Sequence, residues 1–199
     1  MPETPEAFWE RVHTSLATPP LDEWDTWPFV GLPEPRELAP PDKADRPRHG
    51  EGGVGCHQCA HDIEGALWYD DRWVVKPLPR PSGLPCVVLL HTRQHLDFHE
   101  LPEDLQAQLG PLLVRVQRAI FAIGDIGNVH VLRIGDGSEH CHIWFQARPA
   151  RIHQLQSGFV QIWDDVLPPV PEDVWRANLE IVRRELNKQH TVTGAPAAP

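Results

Sequence analysis

No stretch of the chain approaches the ~18 apolar residues of a membrane span, so a helical crossing of a bilayer is excluded. Positive charge is scarce too. The 18 Lys and Arg stand against 28 Asp and Glu, a formal charge of -10, which disfavours broad attraction to extended nucleic acid or to an anionic membrane. An anionic ligand would need a local pocket. The N-terminal stretch MPETPEAFWERVHTS has no basic segment followed by an apolar run, and a cytoplasmic location is expected. Cysteines number only four, and two of them, Cys56 and Cys59, form a CxxC unit while Cys86 and Cys141 stand alone. In a reducing compartment that pattern reads as metal or redox chemistry. HExxH is missing, as are the HxE and PCxxC pair of the zinc deaminases and any internal repeat. The one formal GxGxxG match, GEGGVG at 50–55, follows a polar loop instead of a strand and runs directly into Cys56, so dinucleotide binding is not expected.

What is present fits one domain with extensions: 199 residues, 41% apolar and 23% charged, are enough for one substantial core. The 22 prolines cluster towards both ends. Residues 5–17 place Phe8, Trp9, Val12 and Leu16 at helical spacing. From Pro19 to Gly55 the composition is that of loops, except that Trp24, Trp27 and Phe29 need something to pack against, so this arm is expected to wrap the core. ALWY, the polar turn DD and RWVVKPL predict a hairpin, and CVVLLHT a strand buried on both faces. Leu105, Leu109, Leu112, Leu113, Val116 and Ile120 predict a helix from Pro102 to about Ile123, with a kink or restart at Pro111. Strands NVHVLRIG and HCHIWFQARP flank the tight loop GDGSEH, and PEDVWRANLEIVRRELNKQ suits a closing helix before a disordered TVTGAPAAP tail. This order predicts an α+β fold with an antiparallel sheet and one long helix. It divides the chain into an arm (1–53), a core (54–150), a helical extension (151–189) and a tail (190–199).

The chemistry concentrates in two places. In an extended HCHIWFQARP, His140, His142, Trp144 and Gln146 share one face, and Cys141, Ile143, Phe145 and Ala147 the other. The second set is apolar and belongs in a core. The first is a surface for a bound group. Upstream, Cys56-His57-Gln58-Cys59 has the form of a zinc knuckle, which supplies two thiolates to a four-ligand site. Histidines are the economical source of the other two, and antiparallel neighbours bring His95 and His140 within reach. His57 and His61 are alternatives beside the knuckle, and His91 and His99 are alternatives to His95 if the register differs.

Together, Cys56-x-x-Cys59, the strand leading to His95, the long helix and GDGSEHCHIWFQARP resemble the histidine triad superfamily over about residues 54–150. That family carries His-φ-His-φ-His on one strand, or Gln in the third position in its galactose-1-phosphate uridylyltransferase branch, and transfers or hydrolyses nucleoside phosphates. The resemblance implies zinc held by Cys56, Cys59, His95 and His140. It also implies His142 as the nucleophile that forms a phosphoramidate. A small phosphate-bearing substrate is expected, and a homodimer unless the long arms replace one. In the GDGSEH loop, Gly135, Gly137 and Ser138 are candidates to hold phosphate oxygens, although a turn needs glycine in any case. The chain departs from the pattern twice. Trp144 stands in the third position, where an indole offers one N–H, accepts nothing and does not titrate. It donates one bond, stacks on a substrate ring or blocks the pocket. The acidic ribose contact usual near the strand VVKPLP is absent around Lys76–Leu78. The alternatives are a zinc-stabilised binding module without catalysis and an enzyme acting on a substrate that is not a nucleotide.

Overall fold

The computed structural model describes residues 20–24, 26–31, 33 and 39–188, together with Glu10. Apart from Glu10, the helix expected over 5–17 lies outside the described residues, as does the TVTGAPAAP tail. The fold is α+β. Five strands form an open antiparallel sheet: β1 (Trp68–Tyr69), β2 (Trp73–Pro77), β3 (Val87–Thr92), β4 (Ile126–Leu132) and β5 (His142–Pro149), in the spatial order β1-β2-β3-β5-β4. Among the described residues from 20 to 188, they are accompanied by the α-helices α1 (His57–Ala60), α2 (Glu103–Phe121), α3 (Val160–Val166) and α4 (Glu172–Lys188). None is long and apolar enough to cross a membrane.

Side-chain alternation gives the sheet two different faces. On one, Trp73, Val75, Val88, Leu90, Val129, Ile143, Phe145 and Ala147 form the main core with Leu105, Leu112, Val116 and Ile120 of α2. Each is under 9% exposed, so the period-2 and period-3.6 apolar patterns meet across this layer. Helix α4 closes the far side with Leu179, Val182 and Leu186. The other face carries Val74 and Lys76 of β2, Val87, Leu89 and His91 of β3, His142, Trp144 and Gln146 of β5, and His130 of β4. The strand CVVLLHT is therefore not sealed on both sides: Leu89 and His91 are only half-buried, because a cavity opens above them.

Local chemistry fixes the connections. Asp70 turns the β1–β2 hairpin by accepting hydrogen bonds from the backbone N–H groups of Arg72 (2.8 Å) and Trp73 (2.7 Å). Helix α2 runs through Pro111 without the expected restart. Leu105 before the proline and Leu112, Val116 and Ile120 after it anchor both halves in the same core. Helix α3 was not anticipated. It packs Val160 against Leu84 and Val87, with Trp144 alongside. The aromatic arm reaches this region: Trp24 and Trp27 stack near Phe159, and Trp163 Nε1 donates to the Thr26 carbonyl at 2.8 Å.

Candidate metal centre and active site

A short helix, a strand end and a loop converge on four ligand atoms. Cys56 caps α1 and Cys59 lies within it, His95 follows β3 by three residues, and His140 precedes β5. Their Sγ and imidazole nitrogen atoms all lie within 4.8 Å of one another. His140 Nδ1 is 3.3 Å from Cys56 Sγ and 3.5 Å from Cys59 Sγ, and His95 Nδ1 is 3.4 Å from Cys59 Sγ. With metal–sulfur bonds of about 2.3 Å and metal–nitrogen bonds of about 2.0 Å, a tetrahedron has S···N edges of roughly 3.5 Å. The separations match. His91, His99, His57 and His61 are not in the cluster.

The outer nitrogens of both rings are tied down, which leaves each Nδ1 free to bind. His140 Nε2–H donates to the Thr92 carbonyl at 2.7 Å, and His95 Nε2–H donates to Glu139 Oε2 at 3.1 Å. A carbonyl or carboxylate behind a ligating imidazole sets its tautomer and raises its basicity. Burial pushes the His140 pKa down, so its ring is neutral. Burial disfavours the Cys56 thiolate, but hydrogen bonds from Cys59 outweigh it and hold Cys56 below the usual thiol range; burial pushes Cys59 up to about 11. Two thiol side chains and two imidazoles, each imidazole with a second partner in place, fit a thiophilic divalent cation.

The N-terminal segment buttresses this centre. Gly52 N–H donates to Glu139 Oε2 at 2.7 Å, His49 N–H to the Gly137 carbonyl at 3.0 Å, and His49 bridges Ser138 in parallel. GEGGVG, rejected as a dinucleotide loop, is here a run of turns. Gly50, Gly52, Gly53 and Gly55 all have positive φ, and a side chain on Gly50 would press on Cys56. Asp97, only 4% exposed, accepts from Arg48 (2.6 Å), from Arg133 and from Phe98 N–H (2.6 Å). Burial raises its pKa, but these donors win and hold it below the usual carboxylate range.

Beside the metal centre lies a cavity of about 690 Å³, lined by His142 and Trp144 of β5, Leu89 and His91 of β3, Lys76 of β2, Ser138, and His57 and His61. Register explains the grouping: His142 pairs with His91, Trp144 with Leu89, and Leu89 with Lys76. His142 Nδ1–H donates to the His140 carbonyl at 2.8 Å. That bond fixes the tautomer and leaves the Nε2 lone pair free.

Three expectations need correction. The strand begins at His142, not at His140, because the Thr92 carbonyl accepts from the His140 ring and Cys141 N–H donates to the Leu96 carbonyl (2.7 Å), which ends the ladder. Gly135 is not at the His142 cavity. It lines a second one with Arg48, Asp97 and Arg133, and a side chain there would collide with the Arg133 guanidinium. Gly137 does not line the His142 cavity either; its carbonyl serves His49. Of the three loop residues, Ser138 alone reaches it.

Lys76 is the site residue that sequence reading passed over. Its Nζ donates to the His61 carbonyl at 2.7 Å, and burial pushes its pKa down. The signal was its place in WVVKP, one step out of phase with the core residues Trp73 and Val75.

No protein-family model matches the chain, and no curated protein matches it. Among solved structures it is similar to a histidine triad protein from Bradyrhizobium japonicum, at 19% identity over 61% of this chain and 89% of that one, with a TM-score of 0.49. It is similar to a hypothetical histidine triad nucleotide-binding protein from Sulfolobus tokodaii strain 7, at 16% identity over 71% and 97% of the two chains, TM-score 0.48. A zinc-bound histidine triad family protein from Mycobacterium smegmatis follows, at 19% identity over 64% and 88%, TM-score 0.42. At these scores the likenesses carry no functional weight. What defines the class is internal to the chain: an α+β fold that sets a Cys₂His₂ cluster beside a histidine-lined cavity.

Proposed function

We propose that the chain is a zinc-containing hydrolase or nucleotidyltransferase of histidine triad type, acting on a phosphate ester or anhydride through a phosphoramidate at His142. One observation carries the reading: the bond from His142 Nδ1–H to the His140 carbonyl leaves a neutral Nε2 as the nucleophile in a cavity that also holds Lys76. On a chain of formal charge -10, that lysine gives a phosphate a local attraction that the whole surface lacks.

In the first step the Nε2 lone pair attacks phosphorus, the P–O bond to the leaving group breaks, and the leaving oxygen takes the electron pair. The His142 ring becomes a cation, steadied by the carbonyl that accepts its Nδ1–H. Water or an acceptor hydroxyl then attacks phosphorus, the N–P bond breaks, Nε2 recovers its lone pair and the acceptor's proton is released. Lys76 and Ser138, which line the same cavity, would hold the phosphoryl oxygens. Zinc on Cys56, Cys59, His95 and His140 supplies rigidity, tying the knuckle to the residue whose carbonyl orients the nucleophile. Trp144 cannot protonate a leaving group, so anhydrides and aryl esters suit the site better than alkyl esters.

A second reading, the same chemistry on a phosphate ester without a nucleoside, is favoured by the cavity's acids. Among its lining residues Glu64 is the single carboxylate, and it is engaged 2.7 Å from His61 Nδ1. Among the described residues that line the cavity, none offers a free carboxylate to a ribose diol. Both readings share one test. Incubation with p-nitrophenyl esters of a nucleoside 5′-monophosphate and of a sugar phosphate is followed by intact-protein mass. A nucleotidyl adduct that His142→Asn abolishes supports the first; an adduct from the sugar ester alone supports the second. No adduct from either, with the metal bound, contradicts both.

A further inference from the structure

The reaction proposed above uses one imidazole of the open sheet face, yet β3 presents another to the same cavity. His91 stands directly opposite His142 in the antiparallel register, with ring centroids 6.2 Å apart. The ring hydrogen-bonds to none of the described residues, and its Nδ1 is sealed from solvent. A buried polar atom left without a partner costs roughly 1–3 kcal/mol. Packing alone would favour an apolar residue, as at Val87 and Leu89 on the same face of the strand. Meanwhile Trp144, the next residue beyond His142 on its face of β5, is committed to the wall with Leu84, Val87, Val160 and Leu167.

We propose that His91 is a catalytic residue of this site, an imidazole whose Nε2–H, on the ring nitrogen that is not sealed from solvent, hydrogen-bonds a non-bridging oxygen of the phosphoryl group as His142 Nε2 attacks. The inference rests on the His142 reading. In the step the Nε2–P bond forms and the P–O bond breaks, while His91 retains its proton throughout. Its hydrogen bond strengthens as charge gathers on the phosphoryl oxygens, which is the condition for lowering a barrier instead of merely binding substrate. A donor facing His142 from the adjacent strand supplies what the indole at 144, packed into the wall, does not.

The test is the pre-steady-state burst of p-nitrophenolate from the p-nitrophenyl ester of a nucleoside 5′-monophosphate, measured on the zinc-loaded chain. His91→Phe is expected to slow the burst at saturating ester by about 100-fold or more, the loss typical of one removed transition-state donor. His91→Gln, which keeps an N–H, is expected to stay within about 10-fold of wild type. Metal content and melting temperature should match wild type in both, with little change in KM. A His91→Phe burst at the wild-type rate overturns the role of His91 alone. Equal losses in the two variants, or losses that follow metal content, also overturn it. A wild-type chain with neither burst nor mass on His142 contradicts the underlying reading, and the inference with it.

Discussion

Two imidazoles two positions apart, His140 and His142, receive opposite assignments because of one carbonyl each. His140 gives its Nε2–H to Thr92 and turns Nδ1 to the cysteines, whereas His142 gives its Nδ1–H to His140 and keeps Nε2 free. No reading of HCH distinguishes these tautomers, since both partners are backbone atoms brought in by pairing. The clustering of Cys56, Cys59, His95 and His140 was legible because CxxC calls for two more donors and few histidines lie at element ends. The partners behind it were not. Glu139 and Asp97 read as surface acids until the arm and the loop close over them. Glu139→Gln is expected to weaken zinc binding about 10-fold or more, read by competition with a chromophoric chelator. Asp97→Asn should destabilise the fold by about 3 kcal/mol, read by urea unfolding at neutral pH, because Arg48 and Arg133 lose their common partner. The folded-state pKa of Asp97 lies below its unfolded value. Its contribution is therefore complete above about pH 4 and lost as pH falls through the depressed value, a loss that the variant should not show.

At the scale of elements, apolar patterning located the five strands and α2, and the acids and bases at its two ends located α4; each of them buries one face against the same core. It failed where packing overrides local preference. Pro111 removes one backbone donor from α2, yet the helix continues because both halves are anchored. Pro111→Ala is accordingly expected to stabilise the protein by about 2 kcal/mol, measured as a rise in the urea midpoint with unchanged m-value. The start of β5 was misplaced by two residues for a complementary reason. Alternation continues through His140, but its hydrogen-bonding neighbour has already turned away at Thr92. Helix α3 is only seven residues long, and its single buried contact, Val160, leaves no periodic trace.

Across the whole molecule, the terminal extensions serve the site from outside the core. The segment around His49–Gly53 closes over the GDGSEH loop, and α3 backs the wall that holds Trp144. Composition pointed to an arm that wraps the core, but proline-rich sequence carries no register and could not say where it docks. An acidic chain thereby lines a cavity with a lysine and several histidines, next to a Cys₂His₂ cluster whose members span 84 positions from Cys56 to His140. That centre is the claim on which the rest depends. Zinc-edge X-ray absorption on the exhaustively dialysed protein tests it most directly: the expected result is about one zinc per chain, with two sulfur neighbours at about 2.3 Å and two nitrogen neighbours at about 2.0 Å. A fully folded chain without metal, or a first shell that contains no sulfur, would contradict it.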